Sequence, residues 1–129
     1  MSTAAPVGTR WVVLVDDHDD TREVAAEILR IEGFEVRDFA SAEDALADVC
    51  RELPMAVISD LTLGGLSGED LARALRASDV TSGLTLVAMT GHSSAIDNVE
   101  ALWDRVLIKP VDPFELARTV RELIARARG

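Results

Sequence analysis

The chain is poor in cysteine and histidine, with one of the first and two of the second in 129 residues. Cys50 has no second thiol to pair with, so an internal disulfide and a thiolate zinc cage are excluded, and a reducing compartment is the simpler setting. Cys50 itself is expected to be a small buried apolar residue. Basic side chains are also scarce: 13 Lys and Arg stand against 23 Asp and Glu, for a net charge of -10. That charge repels phosphate backbones and anionic lipid surfaces, so neither nucleic acid nor a membrane is expected as a partner. No apolar run approaches the ~20 residues that cross a bilayer. Residues 1–10 (MSTAAPVGTR) lack the apolar core of a secretion signal. Cytoplasmic residence follows as the expectation. Internal repeats and low-complexity tracts are missing too.

What is present is an ordinary soluble composition, 48% apolar and 28% charged, on a length that suits one domain with a real core. Residues 1–10 read as a flexible lead-in, and 11–129 as the domain. Short apolar runs at 11–15, 55–59, 84–89 and 106–108 alternate with helical patterns, the sign of parallel strands joined by right-handed helical crossovers. Residues 35–39 (EVRDF) instead alternate polar with apolar, as an edge strand does. Helix starts are marked by Asp20 with Glu23, Ser41 with Asp44, and Asp112-Pro113 with Glu115. Val24, Ile28 and Leu29, then Leu71 and Leu75, then Leu116, Val120, Leu123 and Ile124 recur at helical spacing and are expected in the core. Gly33 marks the end of the first helix. With the fifth helix ending near Arg128, output is expected to come from this domain's own surface.

In an open parallel sheet the ligand crevice lies beyond the carboxyl ends of the strands. Asp16 and Asp17 follow the first strand, Asp60 the third, Thr90 the fourth and Lys109 the fifth. Singly, such residues are ordinary turn and cap groups. Together, three acids on one rim repel, and a divalent cation or Lys109 best offsets that cost. Oxygen ligands without His or Cys select magnesium or manganese over zinc. Asp60 is then free on one oxygen to attack phosphorus in line, with the Thr90 hydroxyl and the Lys109 ammonium holding the other phosphoryl oxygens. The product is an aspartyl phosphate.

Val15-Asp16-Asp17, Ser59-Asp60-Leu61, Met89-Thr90-Gly91 and Lys109-Pro110 resemble the motif set of response-regulator receiver domains in order, strand placement and residue type. The resemblance covers residues 11–128. It implies a flavodoxin-like α/β fold, (βα)5, with a doubly wound parallel five-stranded sheet in the order 2-1-3-4-5. It also implies a phosphoacceptor switch of a two-component phosphorelay that changes protein–protein contacts, promoting only its own phosphorylation and dephosphorylation. In this likeness Asp60 is the phosphoacceptor, Asp17 a direct metal ligand, Asp16 a ligand through water, and the Thr62 carbonyl the backbone ligand. Thr90 is the switch hydroxyl, Lys109 its cationic partner, and the Lys109-Pro110 bond is cis. Mg2+ or Mn2+ is the implied cofactor. A sensor histidine kinase or a histidine phosphotransfer protein is the implied partner.

The sequence also departs from the family. Thr90 and Lys109 are only 19 positions apart, so the fourth helix, placed at 95–103, is expected to be shortened. Val106 stands where receivers usually carry the aromatic residue that follows the switch hydroxyl, and the chain has no Tyr, which puts the usual relay in doubt. Gly64 replaces a usual Pro and loosens the loop after Asp60. Trp11 reads as strand packing and Trp103 as a core anchor, with an exposed recognition role the alternative for Trp103. His18 reads as a solvent-facing loop residue, and His92 as a modest influence on acyl-phosphate lifetime. Two other functions compete: a receiver-like binding module acting without phosphorylation, and a magnesium-dependent phosphohydrolase, for which little chain remains to build a lid.

Overall fold

Three of the four apolar runs form strands buried along their whole length, whereas the run at 106–108 lies in a half-exposed edge strand, with Ile108 open to solvent. The computed structural model describes residues 11–91 and 101–128. Strands β1 (Trp11–Val15), β2 (Glu35–Phe39), β3 (Ala56–Asp60), β4 (Thr85–Thr90) and β5 (Arg105–Ile108) pair in parallel. Their order is β2-β1-β3-β4-β5, the expected doubly wound arrangement. Among the described residues there are four helices, α1 (Asp19–Ile31), α2 (Ala42–Arg51), α3 (Gly68–Ala77) and the C-terminal α4 (Pro113–Arg128). Of the helix expected at 95–103, residues 95–100 lie outside the described residues. Residues 101–103 leave regular helix and form a turn, so Trp103 enters the core from a loop.

Alternate strand residues feed two cores. Val13, Val15, Val57, Leu86 and Ala88 pack with Ala45 and Val49 of α2, Leu71 and Leu75 of α3, and Trp11 and Trp103. Val12, Leu14, Ile58, Val87 and Met89 pack on the other face with Leu29 of α1 and Leu116, Val120 and Leu123 of α4. Trp103 is therefore the core anchor rather than an exposed recognition residue. β2 is the half-exposed edge its alternation predicted.

Two expected core residues face outward. The buried stripe of α1 runs through Ala26 and Leu29, and Val24, two positions off it, is 55% exposed. On α2 the stripe runs through Ala42, Ala45 and Val49, and Cys50 turns past it into solvent. Apolar character alone did not reveal which side of the helix each occupies.

Helix ends follow the capping chemistry in most cases. Ser41 Oγ accepts the Asp44 N–H at 3.2 Å, and Asp112 Oδ1 accepts the Phe114 N–H at 2.9 Å. At the end of α1, Gly33 takes φ +103 and the Phe34 N–H donates to the Leu29 carbonyl at 3.0 Å, a left-handed stop that glycine allows. The start of α1 differs from the expected Asp20 cap. His18 is the N-cap, but its side chain makes no capping bond to the helix, and Asp19 and Asp20 lie inside the first turn, where their charge favours the helix dipole. A capping box at α3 was not anticipated: Ser67 Oγ accepts from the Asp70 N–H at 3.1 Å and Asp70 Oδ2 from the Ser67 N–H at 3.4 Å. Ser67→Ala should lower stability by about 1 kcal/mol in urea unfolding. An unchanged midpoint would mean that this start is held by packing alone.

Candidate functional site

Strand register sets the rim. Val15 lies beside Ser59, Asp60 beside Met89, and Thr90 beside Ile108. The next residues along, Asp16 and Lys109, therefore emerge at the same end as Asp60 and Thr90. The Lys109 N–H donates to the Thr90 carbonyl at 2.8 Å, which ties the ends of β4 and β5 together. The Lys109-Pro110 bond is cis, as expected.

Asp16, Asp60 and Thr90 are each buried, while Asp17 is more open. Asp60 has both oxygens engaged: Lys109 Nζ lies 2.5 Å from Oδ2, and the Thr62 N–H donates to Oδ1 at 3.0 Å. Its carboxylate thus sits at the floor of the rim, covered by Lys109, whose side chain keeps 30% of its surface in solvent. Asp17 Oδ2 accepts the Gly64 N–H at 3.3 Å and so ties the loop after β3 to the end of β1.

Asp16, Asp17, His18 and Asp60 each offer a ligand atom, all within 4.8 Å of one another. Carboxylate oxygens this close repel unless a cation stands among them, and oxygen donors suit a hard divalent ion. The residues therefore fit a Mg2+-type site. Lys109 is the charge that balances Asp60 within the protein itself. Lys109→Ala should cost about 1–2 kcal/mol of stability without divalent cation, a figure discounted for the lysine's exposure. Added Mg2+ should recover part of the loss in urea unfolding, and an equal loss with and without Mg2+ would refute this balance.

Several contributors escaped the sequence reading. Arg22 Nη1 donates to the Asp16 carbonyl at 2.7 Å and pairs with Asp19 at 2.8 Å and Asp38 at 3.2 Å, pinning the acidic turn from α1. Burial opposes its charge, but hydrogen bonds and attraction from Asp19 and Asp38 outweigh this and raise its pKa above the ordinary arginine value. Arg76 reaches from α3 to the carbonyls of Leu102, Ser82 and Leu84 at 2.7–2.9 Å and to Asp104 at 3.2 Å, which sets the entry into β5 and hence Lys109. Glu43 Oε2 accepts the Leu66 N–H at 3.2 Å beside Gly65, whose φ of +74 makes it the glycine this loop requires. In sequence each of these charges looks like a solvated helix residue. His18 is 68% exposed as expected, yet its Nδ1 faces both acids, and His92 lies outside the described residues. Val106 is half-buried against the α2/α3 core.

The model of the response regulator receiver domain matches residues 12–121. The chain belongs to the response regulator receiver domain family. It is 34% identical to the DNA-binding response regulator MtrA of Mycolicibacterium smegmatis over 89% of its own length and 50% of that protein. An uncharacterised 14.6 kDa protein of Leptolyngbya boryana is 33% identical, with 86% of this chain and 87% of that one covered. The chain thus spans about half of MtrA and most of the Leptolyngbya protein. Among solved structures, a response regulator of Chloroflexus aurantiacus superposes with TM-score 0.85 at 34% identity, covering 95% of this chain and 100% of that one. TrrA of Thermotoga maritima, solved in complex with Mg2+-BeF, gives TM-score 0.81 at 25% identity over 88% and 98% of the two chains.

Proposed function

We propose that the domain is a phosphoacceptor switch in which Asp60 takes a phosphoryl group from a phosphohistidine donor. The observation that carries this reading is the contact of Lys109 Nζ with Asp60 Oδ2 at the rim where Asp16 and Asp17 converge. An Asp60 oxygen forms the bond to phosphorus as the donor's P–N bond breaks, and the leaving imidazole takes a proton from water. Lys109, held at the surface by a flexible stem, swings from Oδ2 to a phosphoryl oxygen, and the Thr90 hydroxyl closes on another. Asp17 would bind the cation directly and Asp16 through water, and the Thr62 carbonyl would complete the protein's share. A bound Mg2+ or Mn2+ neutralises the phosphoryl oxygens. Closure of Thr90 and Lys109 on the phosphoryl group favours one of two loop arrangements and so alters the partner surface.

The donor is a sensor histidine kinase or a histidine phosphotransfer protein, and the receiver acts on no outside substrate. The net charge of -10 supports protein partners over nucleic acid and membrane. Among the described residues no helix is long and apolar enough to cross a membrane, which agrees with a cytoplasmic setting. Incubation with a small acyl phosphate and Mg2+ should give one base-labile phosphoryl group per chain, and chelation of the cation should prevent it. Absence of any label with Mg2+ present would overturn the proposal.

A further inference from the structure

His18 combines an exposed ring with a directed nitrogen. Its side chain is 68% exposed, yet Nδ1 lies 3.2 Å from Asp16 Oδ1 and 3.2 Å from Asp17 Oδ1. The placement is fixed by the backbone, because the His18 N–H donates to that same Asp16 oxygen at 2.9 Å and the residue is extended ahead of α1. Protonated, Nδ1 shares its hydrogen between the two carboxylates; unprotonated, it turns a lone pair toward the space between them, where a cation would stand. Neighbouring donors around a six-coordinate divalent ion with bonds of about 2.1 Å stand about 3 Å apart. His18 Nδ1 and Asp17 Oδ1, the oxygen of the acid that would bind the ion directly, have nearly that spacing at 3.2 Å, and Asp60 belongs to the same cluster, whose ligand atoms all lie within 4.8 Å of one another.

We propose that His18 Nδ1 is an additional donor to the cation held by Asp16, Asp17 and Asp60, and that it shifts the site's preference from Mg2+ toward nitrogen-binding divalent ions such as Mn2+, Co2+ and Ni2+. The inference rests on the metal reading of the acidic rim given above. Mg2+ gains little from imidazole, whereas the later first-row ions gain progressively more. The acids supply charge and affinity, and the histidine supplies discrimination.

The test uses the full chain with Mn2+, Ni2+ and Mg2+ as probes. Pulsed electron paramagnetic resonance of bound Mn2+ should show coupling to a directly bound nitrogen, lost in both His18→Ala and His18→Asn. Asn keeps a polar contact to the acids but offers no imidazole. By calorimetric titration both substitutions should weaken Ni2+ roughly tenfold or more while changing Mg2+ less than about threefold. Bound Mn2+ without nitrogen coupling in the unsubstituted protein, or equal changes for Ni2+ and Mg2+, would overturn the proposal while leaving the acidic site standing. If no cation binds and Asp17→Asn matches the unsubstituted protein, the metal reading of the rim fails as well, and this proposal with it.

Discussion

Asp60→Asn is expected to slow phosphoryl acceptance by more than roughly a thousandfold while leaving the fold intact. The amide has nearly the shape of the carboxylate, and its oxygen can still accept the Thr62 N–H that now reaches Oδ1 at 3.0 Å. It has no anionic oxygen with which to attack phosphorus. One charge is also removed from a rim where Asp16, Asp17 and Asp60 crowd together, which offsets the lost ion pair with Lys109. Stability in urea should therefore stay within about 1 kcal/mol of the unsubstituted protein. A folded Asn variant that accepts phosphate at the normal rate would place the chemistry on another residue.

Gly68→Ala is expected to be the most damaging conservative change in the loop after β3. A Cβ there would stand 2.3 Å from the Asp60 carbonyl oxygen and 2.9 Å from the Leu61 Cα. Both neighbours are backbone, so no side-chain rotation relieves the overlap. Either α3 backs away or the end of β3 moves, and the second carries Asp60 with it. A loss of about 2–4 kcal/mol is expected, more than the ~1 kcal/mol that alanine's helix propensity can return. Gly64→Ala is the contrast. Gly64 has negative φ and open space around its Cβ position, so alanine should be tolerated or slightly stabilising. Equal unfolding midpoints for the two variants would contradict this packing.

Much of this architecture was legible in the sequence because it is written in local patterns. Apolar runs at 11–15 and 55–59 could only be covered strands, and polar residues just past the strands had to meet at one rim once the sheet was parallel. Asp16, Asp60, Thr90 and Lys109 met there through strand register, which one-dimensional spacing approximates well. Contacts between distant segments were not legible. Gly68 ends a glycine-rich stretch (GGLSG, 64–68), and nothing local marks that its lack of a side chain is what lets α3 touch the Asp60 backbone. Arg22 and Arg76 looked like surface charges because their acceptors are carbonyls brought close only by folding. Val24 and Cys50 were misplaced for a related reason: an apolar residue one or two positions off a helix stripe carries no local mark of facing out. His18 was correctly expected to be exposed, but the aim of its Nδ1 depends on the turn that folds it over Asp16 and Asp17.

The central claim is that the carboxylate at the foot of this rim becomes a mixed anhydride with phosphate. Borohydride reduction of the phosphorylated chain followed by peptide mass spectrometry tests it most directly, because reduction turns an aspartyl phosphate into homoserine at the modified position. That conversion is expected at position 60 alone, and only with a divalent cation present. Conversion at a different carboxylate, or a phosphoryl group that resists reduction and base, would contradict it.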